Sequence, residues 1–159
     1  MNVFYLHKNP KECARMHCDK HIVKMILETA QILCTCHWLN SSKAPYKPTH
    51  KKHPCVLWAN KSLKNYLWLC KLGIELCKEY THRYKKIHKS QKVIEWCYKN
   101  PPKLQNKKFS EPCQAMPEKY KQEDSVKAYR KYYLGEKMAF AKWTKREKPY
   151  WIKQYSKHL

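Results

Sequence analysis

Two glycines, Gly73 and Gly135, are all that this chain of 159 residues carries, and that scarcity bounds the fold before any motif is read. Tight hairpins need residues that accept positive φ, and glycine does so without steric cost. A chain this short of glycine is not built for turn-rich β architecture, and it has no glycine-rich loop to cradle a phosphate. Helices need few glycines. The expectation is therefore all-α: a compact single-domain helical bundle over residues 1–159, a length that normally supports one core. Apolar residues at 43% and aromatics at 13% suffice to fill that core.

Periodicity and punctuation divide the chain. MNVFYLHK at the start reads as an extended segment. Asn9 and Pro10 then supply an N-cap and a first helical position, and the helix they open is expected to run to about Leu39, where NSSKAPYKP breaks it. Cys18, Ile22, Met25, Ile26, Thr29, Ile32 and Leu33 form its buried stripe. His53 and Pro54 start a second helix, expected to end near Tyr84. Ser90 is positioned to cap QKVIEWCYK, which Asn100, Pro101 and Pro102 stop. From about 100 to 118 four prolines and no periodicity predict one long irregular loop. Asp124 or Ser125 opens the last helix, and residues 144–159 form a basic, aromatic tail expected to be partly loose.

Charge limits the partners. Lys and Arg number 34 against 12 Asp and Glu, a formal +22, so a polyanion is implied. No stretch approaches the roughly 18 apolar residues of a membrane span, and MNVFYLHKN lacks a signal peptide's apolar region. The lysines are spread through every element instead of forming one amphipathic patch. That favours DNA, or RNA, over a lipid surface, with the protein a monomer. Nine cysteines, an odd number without a CxxC pair, predict free thiols in a reducing compartment such as cytoplasm or nucleus, and no disulfide framework.

Three clusters carry chemistry. On the first helix His17, His21, Lys24, Glu28 and Gln31 recur at helical spacing as a polar stripe of mixed composition. Solubility is usually written with Lys and Glu, so stacked histidines point to proton transfer or phosphate contact, with a helix–helix seam as the alternative. PTHKKHPC, with Lys47 just before it, sets His50, Lys51, Lys52 and His53 ahead of a helix N-terminus, an arrangement suited to anions. Tyr80, Arg83, Lys86 and His88 belong to the densest aromatic and basic run, a mixture that stacks bases while neutralising phosphate. Zinc on Cys13, His17 and His21, completed by His50 or His53, lacks the paired close ligands of structural zinc sites. No metal and no cofactor are expected.

The runs CDKHIVKMILETAQIL, YKPTHKKHPCVLW and LGIELCKEYTHRY, with AMPEKY and YYLGEKMAFAKWTKRE beyond them, resemble a family of small basic proteins of phages and large DNA viruses. More remotely the layout is similar to the pyrimidine-dimer DNA glycosylases of the endonuclease V type. The matching elements are the extended start, His17 in an A-x-x-H run, the basic pair Lys20 and Lys24, and IELCKEY. The resemblance implies a compact all-α enzyme whose nucleophile is an N-terminal amine. Two departures stand out: His21 follows Lys20 where that family has its carboxylate, and residue 2 is Asn, whose bulk disfavours removal of Met1. The expectation is a base-excision enzyme, a DNA glycosylase and AP lyase. Met1, Lys20 or Lys24 would supply the amine, Glu28 or Asp19 would stabilise the cationic sugar, and His17 or His21 would shuttle protons. Lys47, Lys51, Lys52, Arg83 and Lys86 would hold phosphates. The competing readings are a packaging or accessory protein that binds nucleic acid without catalysis, and a histidine-based nuclease or phosphodiesterase.

Overall fold

The computed structural model describes residues 1–152. Its elements are α1 (Pro10–Met16), α2 (Asp19–Leu39), α3 (Pro54–Asn60), α4 (Leu63–Tyr84), α5 (Gln91–Lys99), a 3₁₀ turn (Glu118–Tyr120) and α6 (Ser125–Glu136). Among the described residues there is no β-strand, and no helix is long and apolar enough to cross a membrane. The long α2 and α4 pack on each other, with α5 against both, α3 at one side and α1 along α4. Gly73 sits where these helices meet. A Cβ there would lie 3.0 Å from both Ile94 Cγ2 and Thr29 Cγ2, so its absence lets α4 come close to α5 and α2.

The all-α fold, the extended start and the irregular loop agree with expectation. Local caps do as well: Asn9 accepts from Glu12 N, and Asp124 accepts from Lys127 N. Ser90 precedes α5 as anticipated, but its hydroxyl bonds the Tyr46 hydroxyl at 2.8 Å instead of capping the helix.

Both long helices are interrupted. The helix expected from Pro10 to Leu39 breaks at His17, which is extended (φ −66°, ψ 135°). Distant side chains collect the carbonyls left free there. Trp143 Nε1 donates to Met16 O at 2.9 Å, and Arg83 donates to His17 O at 2.8 Å and to Arg15 O at 3.0 Å. The start of α2 is met in the same way, with Cys18 N donating to the Tyr133 hydroxyl and Asp19 N to Lys142 O. The second helix divides at Lys61 and Ser62, where Ser62 Oγ accepts from Asn65 N and opens α4.

The loop after α5 is strapped across the α3–α4 joint. Leu63 N donates to Gln105 O, Trp58 Nε1 to Ser110 O, and Asn65 exchanges two bonds with Ser110. The tail is less loose than expected. Trp143, Trp151 and Ile152 are buried, and Arg146 pairs with Glu79 at 2.6 Å; residues 153–159 lie outside the described residues. All nine cysteines are free thiols, and every one except Cys113 is buried.

Candidate active site

The extended start runs through the interior, with Val3, Phe4, Tyr5 and Leu6 all buried. A buried segment outside any helix needs partners for its backbone, and side chains from three helices provide them. Cys13 Sγ donates to Phe4 O, Arg130 Nε to Leu6 O and Trp68 Nε1 to Lys8 O. The Asn2 side chain is bound still more fully. Its Oδ1 accepts from Val3 N at 2.7 Å and from the Tyr129 hydroxyl at 2.9 Å, and its Nδ2 donates to Ala115 O at 2.9 Å.

This anchoring delivers Met1 to the middle of α2. There the α-amine lies 2.9 Å from Glu28 Oε1. Glu28 is only 7% exposed, and its other oxygen, Oε2, has no hydrogen-bond partner among the described residues. A buried carboxylate oxygen left unsatisfied costs stability, and such groups concentrate where chemistry is done. His53 borders the pair. Burial lowers its pKa, the charges of the N-terminal amine and His50 lower it further, and Glu28 acts in the opposite sense. Its Nδ1 accepts from Cys55 N and caps α3, which leaves the proton of the neutral ring on Nε2. His50 stands beside it, with ring centroids 6.4 Å apart.

The polar stripe of the first helix is therefore not one solvated face. Lys20 and Lys24 are exposed, with the Lys20 ammonium 4.7 Å from the Phe140 ring centroid. His17 and His21 are interior. His17 Nδ1 lies 2.7 Å from Cys13 O, and burial lowers its pKa to about 4. His21 stacks on Phe4 at 4.3 Å and takes the Tyr133 hydroxyl at 2.5 Å; burial lowers its pKa to about 3, assisted by the charges of His17, Lys137, Lys24 and Lys20. Both rings are neutral parts of a seam. Asp19 is occupied elsewhere, accepting from Arg83, from Thr144 N and from the Thr144 hydroxyl.

Of the residues expected to face nucleic acid, Lys47, His50, Lys51, Lys52 and Lys86 are exposed. Tyr80 and His88 are half-buried, with rings 5.0 Å apart, and His88 Nε2 bonds Val23 O. Arg83 is a correction. It is 3% exposed, and its guanidinium is taken up by Glu79, Asp19 and the carbonyls of His17 and Arg15, so it has no free face for a phosphate. Among the described residues no three His, Cys, Asp or Glu side chains gather as a bound metal requires. Tyr129, Cys55 and Cys113 converge on the amine-bearing segment without any signal in local spacing, because the partners stand 53 to 127 positions away from residue 2.

The elements assembled here are a helical bundle, a strongly basic composition and a carboxylate facing the chain's own amine. The family model of pyrimidine dimer DNA glycosylase matches residues 1–92, more than half of the chain and all of the segment that builds the amine–Glu28 pair. The chain belongs to that family, whose function is DNA repair of the glycosylase kind and whose substrate is DNA. No curated protein and no solved structure matches it.

Proposed function

We propose that this protein is a DNA glycosylase with AP-lyase activity whose nucleophile is the α-amine of Met1. The observation that carries the reading is the 2.9 Å contact between that amine and Glu28, inside the protein and with Oε2 unpartnered among the described residues. Chemistry on a base in a duplex requires the nucleotide to be extruded, and the exposed Lys47, Lys51 and Lys52 offer phosphate contacts. The free amine attacks C1′ of the deoxyribose. A C1′–nitrogen bond forms, the glycosidic bond breaks, and the base departs carrying the bonding pair and a proton. The ring-opened sugar is left as an iminium on Met1. Loss of a C2′ proton then expels the 3′ phosphate, and water releases the amine. Glu28 takes the amine's proton through Oε1 and passes it to O4′ as the C1′–O4′ bond opens; the carboxylate so restored stabilises the cationic iminium, and solvent supplies the proton that leaves with the base.

Lys20 and Lys24 are weaker nucleophile candidates, because both are solvent-exposed and neither is paired with a carboxylate among the described residues. Glu28→Gln tests the reading. On duplexes carrying one cyclobutane pyrimidine dimer or one abasic site, the variant should nick about 10²–10³-fold more slowly than the wild type, with binding changed no more than about threefold. Equal nicking by the two proteins would remove Glu28 from the mechanism.

A further inference from the structure

The structure assigns a positioning role to a hydrogen-bonded clamp made of Asn2 and Tyr129, which holds the Met1 amine against Glu28; the inference rests on the proposed use of that amine. An N-terminal residue has no preceding peptide to restrain it, so its amine is ordinarily the freest group on a chain. Here the restraint comes from the next side chain. Asn2 Oδ1 accepts from its neighbour's Val3 N at 2.7 Å, which fixes the side chain against its own backbone. Nδ2 then ties it to Ala115 O at 2.9 Å, and the Tyr129 hydroxyl reaches Oδ1 from α6 at 2.9 Å.

The Tyr129 hydroxyl also meets Cys113 O at 2.5 Å and accepts from Ala115 N at 3.3 Å. Its single proton is thus shared between Cys113 O and Asn2 Oδ1, and one phenol joins α6, the 101–117 loop and the start of the chain. Tyr129 is fully buried, so these bonds face no competition from bulk water. Without the clamp, Met1 remains attached to the buried Val3–Leu6 segment but can rotate about the bonds preceding it. Glu28 would then meet the amine for only part of the time, and attack at C1′ would slow in proportion. Neither residue touches the reacting atoms, and the effect is one of position.

The test uses Tyr129→Phe and Asn2→Leu, two substitutions that keep Met1 in place, with its retention checked by intact mass. Single-turnover reaction with an abasic-site duplex, quenched by borohydride, gives the rate constant for the covalent intermediate and its amplitude. The clamp predicts a rate constant at least tenfold lower in each variant, with full amplitude and duplex affinity within about twofold of the wild type. Unchanged rate constants overturn it. Reduced amplitude at an unchanged rate constant also overturns it, because the two residues would then only support the folded fraction. Asn2→Leu removes just one side chain near the chain end, so the outcome does not hinge on Tyr129→Phe folding well. If the wild type itself leaves no adduct, the reading of the Met1 amine fails, and the clamp with it; that result is distinct from a wild type that traps while the variants match it.

Discussion

Among single residues, His17 and His21 set how the protein responds to acid. Burial is the leading cause of both depressed pKa values, about 4 for His17 and about 3 for His21. An unfolded histidine titrates near 6.5, so above roughly that pH both states hold neutral rings and stability is complete. Below it the unfolded chain gains protons that the folded chain refuses, and stability falls as pH drops from about 6.5 toward 4. The loss is on the order of 3 kcal/mol for each ring. Glu79 adds to it at lower pH: burial raises its pKa, but Arg146 and Arg83 outweigh that and hold it down, so its contribution is lost only under more acid conditions. The melting temperature should be level between about pH 7 and 8 and fall steeply between pH 6.5 and 4.5. A constant value down to pH 5 would show that the rings are not buried and neutral. These residues also show where sequence reading stopped. The i, i+4 spacing set Glu28 on one apparent face with His17 and His21; the structure places Glu28 against the Met1 amine and both histidines in the core. What separates them is Phe4, which stacks on His21 from a segment that no helical periodicity describes.

At the level of elements, Arg83 closes the junction between α1, α2 and α4. Its side chain is wholly buried, bonds Glu79 at 2.9 Å and Asp19 at 3.1 Å, and takes two carbonyls from the end of α1. Arg83→Met leaves the buried Glu79 and the partly buried Asp19 short of a partner and two helix-end carbonyls unpaired, and should cost about 3–5 kcal/mol. Lys86→Met, on the exposed run beside it, should stay within about 0.5 kcal/mol. Denaturant unfolding of both variants measures the contrast, and similar small costs would deny the junction. The elements that could be read from sequence are those whose ends are specified nearby: Asn9 before Pro10, His53 before Pro54, Asp124 before Ser125. The break at His17 could not be read, because Arg83, Tyr133, Lys142 and Trp143 satisfy the groups it frees. Arg83 itself was misplaced for a related reason. In sequence it lies in a basic, aromatic run that suggests a nucleic-acid surface, while the partner that identifies it as interior, Glu79, is one helical turn back and shared with Arg146.

Taken whole, the molecule sets a buried amine against the opposite tendency of its surface. The net charge of +22 places cations on every side, and such charge gathers DNA without choosing a reaction. The proposed chemistry depends on the fold threading Val3–Leu6 through the core, so that Met1 meets the middle of α2. Borohydride reduction during turnover on an abasic-site duplex, followed by tryptic digestion and mass spectrometry, asks directly which nitrogen reacts. The account predicts one adduct, on the α-amine of the peptide MNVFYLHK, and its loss when a residue is added ahead of Met1. An adduct on Lys20 or Lys24, or strand cleavage with no adduct at all, would contradict it.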